Sequence, residues 1–512
     1  MEQASEALVI LDYGSQYTQL IARRARELGV FSVIVSYDAS VAEIQQYKPK
    51  GIVLSGGPSS VFDRNAPRLN KQLFELGVPI LGICYGLQLL AYELGGVVEP
   101  STKREYGLAK LTRTDTRSLL LGAKSAAGSV WMSHGTSVTR LPEGFVATAT
   151  SDGIIAVAEN SRQKLFGFQF HPEVSHSTHG RSMLKKFLDI CGFGYNWTTE
   201  GFITSEIKRI KAIVGKSKVI CALSGGVDSS IAATLVDRAV GAQQTCIFVD
   251  NGLLRQNEFE EILETYKQTG LNVKPIRAAE KFLAKLAKVT DPEKKRKIIG
   301  GEFIRIFEAE AKKIKDVQFL VQGTLYPDVI TSGAIKGSAV IKSHHNVGGL
   351  PKKMKLRLIE PLCSVFKDEV RLIGAELGLP EKIVKRQPFP GPGLAVRIVG
   401  AVTPERLNLL RQADAIVREE IESRPEIRNQ LYHYFTVLLP INSVGVMGDS
   451  RTYEQVIAIK ALTSDDIMTA DWARLPYDVL ARMSSRIVAE VRGINRVVYE
   501  ITTKPPATIE WE

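Results

Sequence analysis

Short apolar runs alternate with amphipathic segments through the first part of the chain. Four of these runs have the length of buried strands, and they lie at 8–11, 32–35, 51–54 and 78–83. Segments with helical spacing, such as 17–28, lie between them. Strands that alternate with helices predict a mostly parallel sheet. From about residue 97 the pattern is rich in strands, which are predicted at 146–150, 154–159 and 165–170.

A second alternation of strands and helices begins near residue 218. An apolar run at 219–223 has strand length, Ser224-Gly225-Gly226 interrupts it, and helical spacing follows over 227–238. Further strands are predicted at 245–250 and 318–322. We therefore expect a second α/β domain with a parallel sheet.

Two stretches separate the chain into three parts. Residues 196–204 predict a linker, with a helix beginning at Ser205. The stretch Gln-Pro-Phe-Pro-Gly-Pro-Gly at 387–393 cannot form a helix or a central strand, because proline lacks an N–H and its ring fixes φ. We expect a rigid hinge near residue 390. The predicted domains are 1–198, 199–390 and 391–512.

The last part combines helices and strands in the order α-β-β-α-β. Helices are predicted at 405–421 and 479–491, and strands at 435–439, 443–447 and 496–502. This order is typical of a small α+β domain. The fold class predicted for the whole chain is α/β, with two parallel-sheet α/β domains and a C-terminal α+β domain.

Charge and cysteine usage limit the classes of partner. The net charge is +11, but Lys and Arg are spread along the chain, so we expect small anionic substrates and no nucleic acid. The lysine-rich stretch 281–296 predicts a solvated helix face. Five cysteines without a Cys-x-x-Cys pair predict a reducing compartment. No signal peptide is evident and no apolar run approaches the ~20 residues of a membrane span, so we expect a cytoplasmic protein without membrane association.

Gly82-Ile83-Cys84-Tyr85-Gly86 joins a predicted strand to an apolar helix. The pattern Gly-x-Cys-x-Gly is the thiol form of a nucleophile elbow, in which glycines relieve crowding at a strained turn. The Cys84 thiol would stand at a helix N-terminus, whose positive end stabilises a thiolate. A buried structural cysteine is the alternative interpretation.

A base and an orienting carboxylate follow in Phe-Gln-Phe-His-Pro-Glu at 168–173. Residues two apart in an extended chain face the same way, so His171 and Glu173 can enter one site. Glu173 can accept a hydrogen bond from one imidazole nitrogen while the other faces Cys84. We predict a catalytic triad of Cys84, His171 and Glu173.

The turn that begins at Ser224 has the features of an anion site. Two adjacent glycines allow backbone N–H groups to surround an anion, and the helix that follows adds its positive end. The string Ser-Gly-Gly-Val-Asp-Ser resembles the PP-loop of ATP pyrophosphatases, which cleave ATP to AMP and pyrophosphate. A tight turn without a ligand is the alternative. The ATP-binding candidates are Ser224, Gly225, Gly226, Val227, Asp228, Ser229 and Ser230, and Asp228 is also the candidate ligand for Mg²⁺.

The combination of Gly-x-Cys-x-Gly-x-Gln with His-Pro-Glu resembles the class I glutamine amidotransferases. By that resemblance the backbone N–H groups of Gly57 and Tyr85 hold the oxyanion of the tetrahedral intermediate. Ser-His-Gly at 133–135 resembles the family's loop near the glutamine backbone, although Thr136 follows where many members carry Asp. The glutamine-binding candidates implied are Gln88, Ser133 and His134.

The order of the three parts, with the Gln-Pro-Phe-Pro-Gly-Pro-Gly stretch and the ending Lys-Pro-Pro-Ala-Thr-Ile-Glu-Trp-Glu, resembles the glutamine-hydrolysing GMP synthetase family over essentially the whole chain. The resemblance implies that glutamine supplies ammonia, that ATP adenylates XMP, and that ammonia displaces AMP to leave GMP. It also implies a homodimer formed through the last domain. It places Asp250 and Lys342 at ATP, and Arg296, Arg496, Lys504, Ile509 and Glu510 at XMP.

Two other functions remain open from the sequence. Another PP-loop ATP-dependent amidotransferase or a tRNA-modifying enzyme would suit the positive charge, but Cys221, Cys246 and Cys363 lie in apolar or strand contexts that do not suit a sulfur relay. A nucleotide-sensing regulator with an inactive amidotransferase domain is the second alternative, and the intact triad argues against it. A glutaminase assay with and without XMP and ATP separates these functions.

Overall fold

The structure is a computed structural model that describes residues 6–122, 127–331, 356–464 and 469–512. The described residues form two units. One contains the chain up to 205 and the segment 325–331, and the other contains 206–324 and the chain from 356 onward. In the part of the chain that the structure describes, no helix is both long enough and apolar enough to cross a membrane.

The first unit is built on a nine-stranded sheet. Its strands are β1 (Ala7–Asp12), β2 (Ser32–Ser36), β3 (Pro49–Leu54), β4 (Ile80–Ile83), β5 (Val97–Arg113), β6 (Ala127–Arg140), β7 (Val146–Ser151), β8 (Ile154–Asn160) and β9 (Leu165–Phe168). They lie in the order β2-β1-β3-β4-β9-β8-β7-β5-β6. The strands from β2 to β9 in this order pair in parallel, and the rest pair antiparallel. The predicted change from parallel α/β to a strand-rich region is confirmed.

The second unit contains a five-stranded parallel sheet. Its strands are β10 (Lys218–Leu223), β11 (Gln244–Asp250), β12 (Val273–Arg277), β13 (Val317–Val321) and β14 (Arg357–Ile359). In the order β12-β11-β10-β13-β14, the chain moves from β10 to one side and then returns to the other. The turn after β10 therefore lies at a topological switch point, where open α/β sheets bind ligands.

A third sheet, also in the second unit, combines β15 (His433–Met447), β16 (Ser450–Thr463), β17 (Asp471–Trp472) and β18 (Ile494–Tyr499). The structure corrects the sequence prediction at two points. The predicted strands at 435–439 and 443–447 are parts of the single strand β15, with an irregularity between Leu438 and Asn442. The sequence analysis did not predict the antiparallel partner β16. This strand pairs with β15 on both sides of the irregularity that contains Pro440.

The helices cover these sheets. They are α1 (Thr18–Glu27), α2 (Val41–Gln45), α3 (Tyr85–Glu93), α4 (Gly180–Ile190), α5 (Thr199–Val214), α6 (Val227–Val240), α7 (Glu258–Thr269), α8 (Ala279–Leu286), α9 (Pro292–Ala311), α10 (Tyr326–Thr331), α11 (Lys367–Glu376), α12 (Glu381–Val384), α13 (Pro404–Glu422), α14 (Pro425–Arg428) and α15 (Tyr477–Glu490). Helix α10 belongs to the first unit, where the Tyr326 hydroxyl accepts a hydrogen bond from the Ile34 N–H at 2.6 Å.

The predicted linker through residue 204 is wrong, because α5 already begins at Thr199. The Thr198 hydroxyl accepts a hydrogen bond from the Gly201 N–H at 3.1 Å, which satisfies one of the unpaired donors of the first turn. The stretch therefore carries a helix cap where composition alone indicated a linker.

One apolar cluster runs through the second unit. It includes Ile220 and Leu320 of the parallel sheet as well as Leu407 of α13 and Ile457 of β16. The hinge at 387–393 lies within this unit, so the division at 390/391 is a boundary between two sheets that share one core. Its status as a domain boundary stays a prediction.

Candidate active sites

Cys84 occupies the sharp turn between β4 and α3. Its φ of 53° and ψ of −105° lie outside the regions that residues other than glycine usually adopt. A Cβ on Gly82 would lie 2.4 Å from the Gly86 carbonyl carbon, and a Cβ on Gly86 would lie 2.3 Å from the Leu54 carbonyl oxygen. Only glycine permits this close approach of strand and helix, so the two glycines make the strained position of Cys84 possible.

The Cys84 thiol is held in a buried polar setting. Its Sγ donates to the Ser133 carbonyl oxygen at 3.6 Å and accepts from Gln169 Nε2 at 3.8 Å. Gln169 is completely buried, and its Oε1 accepts from Gln88 Nε2 at 3.4 Å. Gln169 was not among the candidates, although it stands two residues before His171 and therefore faces the same side of the chain.

His171 and Glu173 form a buried pair beside this thiol. His171 Nδ1 lies 2.7 Å from Glu173 Oε1, which leaves the other imidazole nitrogen for Cys84. Burial opposes a charge on the imidazole, yet the Glu173 carboxylate and hydrogen bonding to the Cys84 thiol raise the pKa of His171 well above its usual value. The structure thus brings the three predicted triad residues together.

Backbone contacts fix the pair in place. The His171 N–H donates to the Trp131 carbonyl at 2.9 Å, and the Ser177 hydroxyl donates to the His171 carbonyl at 2.6 Å. Arg24 Nε donates to the Glu173 carbonyl at 3.1 Å. Elements from three parts of the first unit therefore orient the base and its carboxylate.

The predicted oxyanion donors Gly57 and Tyr85 belong to the loop after β3 and to the first turn of α3. Tyr85 is the first residue of α3, so its N–H is one of the donors that have no partner within the helix. A Cβ on Gly56 would lie 3.0 Å from His171 Cε1, and a Cβ on Gly57 would lie 2.6 Å from the Tyr13 carbonyl oxygen. Gly56 therefore packs against the imidazole, and the assignment of the Gly57 and Tyr85 N–H groups as oxyanion donors stays a prediction.

The Gln88 side chain is held at both ends by Thr136. Gln88 Nε2 donates to the Thr136 carbonyl at 2.8 Å, and Thr136 Oγ1 donates to Gln88 Oε1 at 2.8 Å. Thr136, which stands where many members of the resembling family carry Asp, thus fixes the orientation of the Gln88 side chain. Only 2% of Gln88 is exposed, so its orientation is part of the buried frame around Cys84.

His134 is paired with a carboxylate that no sequence motif singled out. His134 Nε2 lies 3.1 Å from Glu105 Oε2, and the two residues stand directly opposite each other on β6 and β5. Burial lowers the pKa of His134, although Glu105 opposes that shift. The pair fixes the backbone next to Ser133, whose carbonyl contacts the thiol.

The second site is the turn between β10 and α6. Gly225 has a φ of 75°, and Gly226 is the N-cap residue of α6. The Ser224 and Ser229 hydroxyls lie 3.0 Å apart, and the Gly226 N–H donates to Ser224 Oγ at 3.2 Å. Ser230 Oγ donates to the Gly226 carbonyl at 2.8 Å. The predicted serines thus shape the turn from within, next to the positive end of the helix.

Asp228 and Asp250 lie at the same edge of the parallel sheet. Asp228 is in the first turn of α6, and a Cβ on Gly323 would lie 2.9 Å from its carbonyl carbon. Asp250 ends β11, and its Oδ1 accepts from the Gly252 N–H at 2.9 Å. Among the described residues no group of three or more His, Cys, Asp or Glu could hold a metal. One carboxylate beside an anion turn nevertheless fits Mg²⁺, which binds through one or two carboxylates and substrate phosphates.

Arg386 was missed by sequence reasoning and contacts this turn directly. Its guanidinium donates to the Gly225 carbonyl and to the Glu258 carboxylate. It immediately precedes the Pro- and Gly-rich stretch at 387–393, and no sequence motif includes it. Lys342, the remaining ATP candidate, lies outside the described residues.

The XMP candidates divide into two places. Arg296 donates to the Glu512 carbonyl, and Lys504 and Ile509 line a small surface pocket next to β16 and β17. Glu510 accepts from Arg397. Arg496 lies near the start of β18, where it donates to Ser443 Oγ at 2.6 Å and to the Val444 carbonyl at 3.3 Å.

Three regions of the chain match known protein families, and full-length relatives are known. Residues 9–191 match the family described as glutamine amidotransferase class-I, residues 198–301 match NAD synthase, and residues 419–511 match the GMP synthase C terminal domain. A GMP synthase [glutamine-hydrolyzing] from Geobacillus kaustophilus is 56% identical over 510 residues, which cover 99% of each chain.

A protein of the same name from Caldicellulosiruptor saccharolyticus is 56% identical over 511 residues, again covering 99% of both chains. Among solved structures, a glutamine amidotransferase from Thermotoga maritima shares 20% identity with a TM-score of 0.28. That match covers 36% of this chain and 82% of that protein.

Proposed function

The chain belongs to the family of glutamine-hydrolysing GMP synthases, and we propose that its two sites divide one synthesis between them. The enzyme is a carbon–nitrogen ligase that aminates XMP to GMP with nitrogen from glutamine and cleaves ATP to AMP and pyrophosphate. The observation that carries the assignment of residues is the thiol at Cys84 beside a His171–Glu173 pair 2.7 Å apart, in a chain that also holds the anion turn at 224–230.

Glutamine is hydrolysed in the first unit. Cys84 attacks the carboxamide carbon, and the N–H groups of Gly57 and Tyr85 stabilise the oxyanion that forms. His171 gives its proton to the departing ammonia and then accepts one from the water that attacks the thioester. Glu173 holds the imidazole in the orientation that both steps need. Gln88, Ser133 and His134 position the substrate.

XMP is activated and aminated in the second unit. The turn at 224–230 binds the β- and γ-phosphates, and Asp250 lies at the nucleoside. The 2-oxygen of XMP forms a bond to the α-phosphorus while the bond to pyrophosphate breaks. Ammonia then bonds to carbon 2, the carbon–oxygen bond breaks, and AMP departs with that oxygen. Asp228 would hold Mg²⁺, which neutralises phosphate charge when it is bound.

XMP contacts are assigned to Arg296, Lys504, Ile509 and Glu510. Support comes from the small pocket that Lys504 and Ile509 line, and from the contact of Arg296 with the Glu512 carbonyl. Arg496 supplies a further cation, from the strand β18. A phosphate monoester carries close to two negative charges at neutral pH, which these cations would compensate.

A homodimer is supported by an exposed apolar face on the β15–β16 hairpin. Val444 and Tyr453 stand opposite each other in this hairpin, and Val446 lies two residues further on the same face. These side chains are 44%, 68% and 76% exposed, respectively. An apolar face on a two-stranded ribbon is suited to a self-complementary interface, in which a second copy presents the same face.

We place the enzyme in the cytoplasm. All five cysteines are free thiols, and four of them are buried. Free thiols without a disulfide framework are typical of reducing compartments.

The division of labour is tested by Cys84→Ala. This variant should lose GMP formation with glutamine and keep GMP formation with ammonium salts, because only the first requires the thiol. The assay follows GMP under each nitrogen source at equal XMP and ATP. Loss of both activities, or of neither, would contradict the assignment.

A further inference from the structure

The segment 508–512, here called the tail, lies over three buried cationic side chains. They come from elements far apart in the sequence, namely α9, the short 3₁₀ helix Gly393–Arg397 and β16. The three are Lys295, Arg397 and Lys460, and their side chains are 0%, 0% and 6% exposed. A buried cation needs a partner that stays in place, because an uncompensated charge in the interior is costly.

Each cation contacts a different tail residue, and these residues alternate along the chain. Lys460 Nζ donates to the Thr508 carbonyl at 2.7 Å, Arg397 donates to the two Glu510 oxygens at 3.0 and 3.1 Å, and Lys295 Nζ pairs with Glu512 Oε2. Lys460 Nζ also pairs with Glu500 Oε1 at 2.8 Å, so its contact with the tail is through the Thr508 backbone alone. Three residues of the tail are thus held by buried cations, two of them through their carboxylates.

Arg397 connects the tail to the hinge at 387–393. Its guanidinium lies 4.0 Å above the Phe435 ring and 5.4 Å from the ring of Phe389, which belongs to the hinge. Two parallel bonds to Glu510 give this contact a defined direction, which a lysine could not reproduce. The orientation of the Glu510 carboxylate is thus set by Arg397.

Lys295 performs the same role two residues further along the tail. It also donates to the carbonyls of Ala395 at 3.1 Å and Ile398 at 2.8 Å, while Glu512 Oε1 accepts from the Gly400 N–H at 3.1 Å. Burial lowers the pKa of the Lys295 ammonium, and Glu512 opposes that shift. The residue next to Lys295 is Arg296, which contacts the Glu512 carbonyl.

We propose that Lys295, Arg397 and Lys460 are positioning residues that seat the tail and thereby set the affinity for XMP. The inference rests on the proposed function, which assigns XMP to Ile509, Glu510 and Arg296. The three cations act through the tail and need no contact with XMP. ATP is bound at the 224–230 turn by other residues, so an unseated tail should weaken XMP binding and leave ATP binding nearly unchanged.

The test is a double-mutant cycle on Lys295 and Glu512, measured in ammonia-dependent GMP synthesis so that the glutaminase plays no part. Lys295→Met and Glu512→Gln should each raise the KM for XMP by about tenfold or more, because each leaves one buried charged partner without the other. The KM for ATP should stay within about twofold. The double variant should raise the KM for XMP by less than the product of the single effects, since no unpaired charge remains.

Arg397→Lys provides a second variant that keeps the charge and removes the paired bonds to Glu510. It should raise the KM for XMP while the protein still unfolds in one thermal transition. Lys267→Met is the matched control, because Lys267 pairs with Glu264 on the surface with both side chains largely exposed, and it should change neither KM.

Equal rises of the two KM values, or a lower melting temperature with an unchanged KM for XMP, would overturn the inference and leave the cations a purely structural role. Failure of the wild-type enzyme to saturate with XMP would instead overturn the proposed function. The two failures are therefore distinguishable in one set of assays.

Discussion

Glu173 Oε1 lies 2.7 Å from His171 Nδ1, and the carboxylate is completely buried. A buried carboxylate beside an imidazole favours the protonated ring, which is the form that can donate a proton to departing ammonia. Glutaminase activity should therefore fall as the pH rises through the pKa of His171. Because Glu173 raises that pKa, it extends activity toward higher pH.

Glu173→Gln should reverse this effect while keeping the shape of the side chain. We expect the alkaline limb of the glutaminase pH profile to move to lower pH, and kcat to fall by roughly 10²–10⁴-fold. The profile of kcat/KM for glutamine between pH 6 and 10 measures the shift. Ammonia-dependent synthesis serves as the control for the second site. An alkaline limb that stays in place would show that Glu173 does not set the proton on His171.

Gly82→Ala should disrupt the turn that presents Cys84. The new Cβ would lie 2.4 Å from the Gly86 backbone, and such overpacking costs about 1–3 kcal/mol or more. We expect a lower melting temperature and loss of most glutaminase activity. Gly194→Ala is the matched control in the same unit, because its Cβ would meet nothing nearer than Asn196 Nδ2 at 4.0 Å. Equal behaviour of the two variants would refute the steric account.

The triad could be predicted because its signals are local. A glycine on each side of Cys84, between a strand and a helix, defines the turn whatever the rest of the chain does. The alternation that placed His171 and Glu173 together also includes Gln169, so that residue could have been found. Glu105 could not, because its meeting with His134 depends on the register of two strands that no local pattern specified.

The buried cations show a similar limit. Lys295 lies in a stretch whose composition predicted a solvated face, yet the side chain is 0% exposed. Its partner Glu512 is far away in the sequence, and a pairing of that kind follows only from the tertiary fold. In the C-terminal sheet, the sequence of the missed hairpin turn did carry a signal, the pair Gly448-Asp449. These residues have φ values of 57° and 62°, and Gly, Asn and Asp are the residues that favour positive φ in hairpin turns.

Gly225→Ala should impair GMP synthesis from glutamine and from ammonia alike. The residue has a φ of 75°, and an added Cβ would lie 2.8 Å from Ile262 Cδ1. An alanine at this positive φ is strained by about 1–2 kcal/mol. The backbone of the turn would therefore shift away from this conformation. We expect the KM for ATP to rise at least about tenfold.

Gly301→Ala is the control for that variant, because no heavy atom lies within 4 Å of its ideal Cβ and the residue is inside α9. It should keep the KM for ATP and raise the melting temperature slightly, since alanine favours helix. An unchanged KM for ATP in Gly225→Ala would argue against phosphate binding at this turn.

Val446→Asp should weaken the dimer, because it places a charge at the most exposed position of the apolar hairpin face. Sedimentation equilibrium should then show monomer at concentrations where the wild type is a dimer. Leu372→Asp on α11 is the control, since Leu372 is also exposed, at 61%, but lies on a different element. A dimer that survives Val446→Asp would place the interface elsewhere.

The central claim is that one chain releases ammonia with a thiol and uses it on a purine activated by adenylation. It is tested most directly with XMP that carries ¹⁸O at the 2-oxygen, mixed with ATP, Mg²⁺ and glutamine, followed by mass spectrometry of the nucleotides. The account predicts one GMP, one AMP and one pyrophosphate per glutamate, with the ¹⁸O in the phosphate of AMP. Label in orthophosphate, with ADP as the nucleotide product, would contradict it.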